Sequence, residues 1–155
     1  MNEIKDRVSE NGKPNLLSVV VPAFNEAEVL PELHLRLSKI LDGLDLDSEI
    51  IYVNDGSKDA TADILCALQR GDPRVAIVDL SRNFGKEIAM TAGLDYASGD
   101  AVVVIDADLQ DPPELIPELV RYWRDGYDDV YARRSSRDGE SFIKRATAHL
   151  FYRLL

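Results

Sequence analysis

Asp106 and Asp108 stand two positions apart directly after the apolar run Ala101-Val102-Val103-Val104-Ile105. A short apolar run bounded by polar residues reads as a buried strand. Carboxylates at i and i+2 on the end of a strand can point to the same side, because side chains alternate with a period of two. Two acids so placed repel each other unless a cation lies between them. The pair therefore suits a divalent metal, and hard oxygen donors suit Mg²⁺ or Mn²⁺ rather than Zn²⁺.

Three other polar strings follow apolar runs in the same way: Pro22-Ala23-Phe24-Asn25-Glu26, Asn54-Asp55-Gly56-Ser57 and Ser81-Arg82-Asn83-Phe84-Gly85-Lys86-Glu87. In an open parallel sheet, ligands collect outside the carboxyl ends of the strands, so four such ends on one rim point to a single site. The first of these turns has no Gly-x-Gly-x-x-Gly, which disfavours a dinucleotide-binding dehydrogenase. The chain also has no Gly-x-x-x-x-Gly-Lys-Ser/Thr, which disfavours a P-loop nucleotidase. A diphosphate at so acidic a rim needs cations, which the metal pair and Lys86, Arg133, Arg134 and Arg137 could supply.

The elements that must hold these loops alternate along the chain. Strand-like runs fall at Leu17 to Val21, Glu49 to Val53, Val75 to Leu80, Ala101 to Ile105 and, more weakly, Asp129 to Ala132. Helical patterns lie between them at Glu26 to Leu41, Asp59 to Arg70, Lys86 to Ala97 and Pro113 to Asp125. Ser57 is placed to cap the second helix, and Pro113 suits the first turn of the fourth. Such alternation predicts an α/β fold with a mostly parallel sheet and helices on both faces.

The chain has 155 residues, enough for one domain with a single substantial core. Residues 1–14 are a polar lead-in and 15–155 the domain. A formal charge of −10 argues against a nucleic-acid partner, since such binding rests on basic surface meeting phosphate. No window has the ~20 apolar residues of a membrane span, and the start has no signal-peptide core. The chain so reads as cytoplasmic. The lone Cys66 lies in Ile64-Leu65-Cys66-Ala67-Leu68 and reads as a small core hydrophobe. The two histidines, His34 and His149, fall outside the rim strings and read as surface residues.

These four strings, in this order, resemble the inverting family 2 glycosyltransferases. Within them the chain is most similar to the polyprenyl-phosphate glycosyltransferases, the bactoprenol glucosyltransferase and dolichol-phosphate mannose synthase group. The resemblance covers roughly residues 16 to 155 and implies a GT-A-like nucleotide-diphospho-sugar transferase fold. It implies that Pro22, Ala23, Phe24, Glu26, Val53, Asp55 and Lys86 hold the nucleotide sugar, that Asp106 and Ala107 lie against the nucleotide, and that Asp108 and Gln110 ligate the metal. Arg133 would clamp phosphate oxygens. Asp106, Asp108 and Arg133 would together stabilise the departing nucleoside diphosphate. The donor implied is UDP-glucose, on the likeness of Asn83-Phe84-Gly85-Lys86-Glu87 to bacterial glucosyl members. The acceptor implied is a polyprenyl phosphate at the inner face of the plasma membrane. A haloacid dehalogenase-like phosphatase also carries Asp-x-Asp after a strand, but usually on its first strand and followed by Thr or Val, where this chain has Leu109-Gln110 after its fourth.

After Tyr131 the chain turns basic, with Arg133, Arg134, Arg137, Lys144, Arg145 and Arg153. Ile143, Ala146, Thr147, Leu150, Phe151 and Leu154 recur there at helical spacing. An amphipathic basic helix suits an anionic membrane surface, or packing on its own domain or on a second copy in a homo-oligomer. Members of the resembled group continue well past the equivalent of Leu155, many with membrane spans. The chain is therefore expected to be truncated, holding the donor half and lacking the acceptor half. The alternative to an enzyme is a catalytically incomplete module that binds a nucleotide or a partner.

Overall fold

The run Leu16–Ala23 is apolar at both odd and even positions and forms strand β1, buried along nearly its whole length. A strand without alternation has to be covered on both faces. In the computed structural model, which describes residues 16–132, β1 lies inside a sheet with β2 (Asp47–Asn54), β3 (Val75–Asp79) and β4 (Ala101–Val104). The order is β3-β2-β1-β4, and every neighbouring pair is parallel. Register brings Ala23 opposite Asn54 and Val20 opposite Val104.

Odd-numbered residues of β1 face one layer of helices. Helix α1 (Leu30–Leu41) presents Leu30, Leu33, Leu37 and Leu41 to the sheet as a stripe at helical spacing. Helix α2 (Thr61–Gly71) contributes Leu65, and α4 (Ile116–Arg124), entered through a 3₁₀ turn at Pro113–Leu115, contributes Ile116 and Val120. These side chains close one core with Leu17, Val19 and Val21. Helix α3 (Lys86–Tyr96) covers the opposite face, where Ala89 packs with Val20, Ile51 and Val53. It lies so close that a Cβ on Gly93 would come within 2.3 Å of Val20 Cγ1 and 2.9 Å of Val53 Cγ2. None of the helices among the described residues is long and apolar enough to cross a membrane.

The α/β architecture expected from the sequence is present, with four corrections. Residues 24–29 do not extend α1 toward Glu26, because Asn25 adopts φ 57° and that stretch is tied to the loop after β2. Ser57 caps no helix; its Oγ accepts the Asn25 N–H at 3.0 Å, and α2 opens at Thr61 instead of Asp59. Asp129 to Ala132 form no strand. They run along a cavity beside β4, an edge strand among the described residues, without the ladder hydrogen bonds that would make them its neighbour. Cys66 is exposed: Leu65 faces the core, and one residue further along a helix is a turn of about 100° toward solvent. The lead-in at 1–14 and the basic stretch from Arg133 onward lie outside the described residues.

Candidate functional site

The chain passes from β1 to β2 on one side, and β4 later joins β1 on the other. Strand order reverses between β1 and β4, and the loops at their carboxyl ends part there to leave a crevice, the usual ligand position in such sheets. A cleft of about 240 Å³ opens at this point. Of the residues singled out in the sequence, Pro22, Ala23, Phe24, Glu26, Asp55, Lys86, Asp106, Ala107 and Asp108 all line it, with Asn83, Gly85 and Ala89.

Local backbone chemistry builds the walls. The loop after β1 is laced to the loop after β2 by reciprocal bonds. The Lys58 N–H donates to Asn25 Oδ1 at 2.8 Å, the Glu26 N–H to Thr61 Oγ1 at 2.9 Å, and the Ala27 N–H to Asp59 Oδ2 at 3.2 Å. Asn54 does the same below, donating from Nδ2 to Asp79 Oδ1 and accepting the Ser57 N–H.

Asp55 joins the loop after β2 to the loop before α3. It is 2% exposed, and its Oδ1 and Oδ2 accept the N–H groups of Phe84 at 2.7 Å and Gly85 at 2.9 Å. Each oxygen keeps a further lone pair, since a carboxylate offers about four acceptor positions. The next residue, Gly56, has φ 65°, and a Cβ there would meet the backbone of Arg82 at 2.3 Å. Asp55 and Gly56 thus act together: the glycine lets the two backbones approach, and the carboxylate holds them. Gly85, at φ 96°, then turns the chain into α3 and sets Lys86 at the cleft.

The electrostatics of the cleft are dominated by acids. Burial, then the carboxylates of Asp108, Asp59 and Asp106, hold the Glu26 carboxyl above its ordinary pKa. Lys86 Nζ lies 2.6 Å from both Oδ1 and Oδ2 of Asp106. Asp108 is exposed, and its Oδ1 accepts the Gln110 N–H at 3.0 Å across a turn in which Leu109 takes φ 61°.

A divalent metal fits this donor set. Asp106 and Asp108 line one cleft, their charges reach Glu26, and all the donors are hard oxygens, which favour Mg²⁺ or Mn²⁺. Among the described residues no three His, Cys, Asp or Glu side chains form a ready-made cage.

Two predicted contacts stand apart from the cleft. Val53 is fully buried among Val20, Ile51 and Ala89 under α3, and Gln110 is exposed beyond the cleft wall. Arg133, with Arg134 and Arg137, lies outside the described residues. Asn25, Asp59, Thr61, Asn83 and Gly85 were not singled out individually by sequence reasoning. The signal for Asn25 was its type, since asparagine tolerates left-handed backbone and bonds nearby amides; the partners of Asp59 and Thr61, more than thirty residues away, gave none. His34 is no surface residue: its Nδ1 is 3.1 Å from Tyr52 Oη and its Nε2 3.7 Å from Asp72 Oδ2, so it packs behind β2 and does not line the cleft.

A family model described as glycosyl transferase family 2 matches residues 18–154. The chain is 55% identical over 138 residues to an uncharacterized glycosyltransferase, YkcC, of Bacillus subtilis, a match covering 89% of this chain and 43% of that protein. It is 49% identical over 138 residues to the bactoprenol glucosyl transferase of Shigella phage SfV, covering 89% of this chain and 45% of that one. The chain thus spans a little under half the length of these relatives. Among solved structures, the mannosyltransferase PcManGT of Pyrobaculum calidifontis in complex with GDP-Man and Mn²⁺ superposes with a TM-score of 0.60 at 26% identity, covering 74% of this chain and 35% of that one. Glucosyl-3-phosphoglycerate synthase of Mycobacterium tuberculosis, in complex with Mn²⁺, UDP and glucosyl-3-phosphoglycerate, gives 0.57 at 31% identity, covering 70% and 39%. The fold is GT-A-like, as the sequence led us to expect.

Proposed function

The chain belongs to glycosyl transferase family 2, and on that premise we propose that it carries the donor site of a metal-dependent, inverting transferase moving a sugar from a nucleotide sugar to a polyprenyl phosphate. The observation that carries this reading is the convergence of Asp106, Asp108, Glu26 and Lys86 on one cleft where the strand order reverses. The relatives named as bactoprenol glucosyl transferases support the lipid acceptor and favour glucose as the sugar, with UDP-glucose as donor. The reaction then belongs at the inner face of the plasma membrane.

Asp106 and Asp108 would hold Mg²⁺ or Mn²⁺ at the cleft, and Gln110, exposed beyond the cleft wall, would have to turn toward it to add a further oxygen donor. When bound, such an ion neutralises charge developing on a departing diphosphate. The chain's own residues do the rest. Asp55 and Gly56 lock the loops after β2 and β3 into one wall, and Pro22, Ala23 and Phe24 offer a partly apolar floor for a base and ribose, Phe24 being 40% exposed. Lys86 supplies a positive charge at the same rim, with Arg133 proposed as its counterpart. A phosphate acceptor is anionic near neutral pH, so attack on the anomeric carbon needs no strong general base, and in-line displacement inverts that centre. His34, tied to Tyr52, serves the fold and not the chemistry.

Labelled UDP-glucose incubated with Mn²⁺ and a polyprenyl phosphate tests the reading. It should yield lipid-linked glucose from the chain extended past Leu155 to the length of its relatives. Transfer to no polyprenyl phosphate, from any of UDP-glucose, UDP-N-acetylglucosamine or GDP-mannose, would refute it.

A further inference from the structure

Lys86 occupies an awkward place. It is the first residue of α3, where the helix dipole disfavours a cation, and its side chain is 63% exposed, free of packing that would fix it. It nevertheless spans both carboxylate oxygens of Asp106 at 2.6 Å. Among the described residues that line the cleft, Glu26, Asp55, Asp106 and Asp108 are acids and Lys86 is the base. The ammonium is thus the resident counter-ion of the carboxylate that a metal ion would need. Lys86 competes with a second cation for the charge of Asp106, and a Lys86 displaced at this rim has as its natural partner an incoming diphosphate.

We propose that Lys86 and the metal exchange places on Asp106: in the nucleotide-free protein Lys86 holds off the ion, and when a metal–nucleoside diphosphate arrives Lys86 moves to the diphosphate. The exchange rests on the donor-site reading above and adds a specific consequence. Metal and nucleotide bind cooperatively, because the metal alone must displace an ion pair that the diphosphate helps to dissolve. Bare metal binding is kept weak, and an acidic cleft is kept from filling with ions that lack a substrate.

The test is Mn²⁺ binding to the 155-residue chain, followed by the paramagnetic resonance signal of the free ion, with and without UDP or GDP. Lys86→Met removes the ammonium at similar length, Lys86→Arg keeps the charge, and circular dichroism checks that both fold. In the absence of nucleotide, K86M should bind Mn²⁺ roughly two- to fivefold tighter than the parent, the range set by losing an exposed ion pair. K86R should stay close to the parent. With UDP or GDP present, K86M should bind the Mn²⁺–nucleotide more weakly than the parent, so the factor by which nucleotide strengthens metal binding falls. Unchanged or weaker Mn²⁺ binding by nucleotide-free K86M overturns the exchange while leaving the donor site standing. If neither nucleotide binds the parent with Mn²⁺, the donor-site reading falls and the exchange with it.

Discussion

Asp55→Asn should unfasten the wall of the cleft at a cost readable in stability as well as in binding. The carboxylate is 2% exposed and accepts two backbone amides, at 2.7 and 2.9 Å, from Phe84 and Gly85. A hydrogen bond to a charged group contributes about 1.5–3 kcal/mol. An asparagine keeps one acceptor but turns an NH₂ toward the other amide. That loses one charge-assisted bond, weakens the second and leaves a buried N–H facing a donor, which itself costs about 1–3 kcal/mol. The expected loss is about 3–5 kcal/mol, a large share of the 5–15 kcal/mol of a typical domain. Urea unfolding should show a lower midpoint at an unchanged slope. Hydrogen exchange should show the Phe84 and Gly85 amides deprotected beyond the global change. Asp106→Asn is the contrast: its partner Lys86 is mostly exposed, and such pairs are worth no more than about 1 kcal/mol, so it should leave stability nearly untouched. If Asp55→Asn loses less than about 1 kcal/mol with both amides still protected, the carboxylate does not hold the loops and the account of the wall is wrong.

Gly93→Ala gains about 1 kcal/mol of helix propensity but drives a methyl to within 2.3 Å of Val20 Cγ1; overpacking typically costs 1–3 kcal/mol, so thermal denaturation should show net destabilisation or at best a balance, never a clear gain. Acid should weaken the fold in two stages, followed by urea midpoints against pH. Burial, opposed by Asp72 and aided by Arg74, lowers the His34 pKa, so the unfolded chain takes up that proton first and stability begins to fall below the ordinary histidine range near 6.5. The hydrogen bonds of Arg74 to Asp72 bring its carboxyl down to about 2 from 3.8. That pair's stabilisation, about 2 kcal/mol, is present above 3.8 and lost as pH falls toward 2. Asp72→Asn should flatten the lower stage and, by removing the carboxylate that opposes the burial of His34, deepen the upper one.

The parts legible in the sequence are those set by short-range pattern. Val19, Val20 and Val21 could only be a strand covered on both sides, and the four leucines of α1 could only be a helix face. The acid pair after β4 was legible because its spacing is short and its position follows from the strand before it. What escaped were contacts between loops distant in the chain. The leucine pattern extends helical periodicity back to Glu26, but the structure gives residues 24–29 to a loop because Asn25, Glu26 and Ala27 find partners at Ser57, Lys58, Thr61 and Asp59. Lys86 is legible in the sequence as a cation close to the rim, without its partner. Its bond to Asp106, twenty residues on, appears only when the start of α3 and the loop after β4 meet at the cleft.

On this arrangement the cleft binds a nucleoside diphosphate through a metal held by the acid pair. Isothermal titration of UDP and of GDP into the chain, with Mn²⁺ and with EDTA, and into Asp108→Ala, tests it most directly. At least one nucleotide should bind in Mn²⁺, and EDTA and D108A should each weaken that binding by about tenfold or more, with the melting temperature of D108A unchanged because Asp108 is exposed. Binding that is equal in EDTA, or equal in D108A, would contradict it.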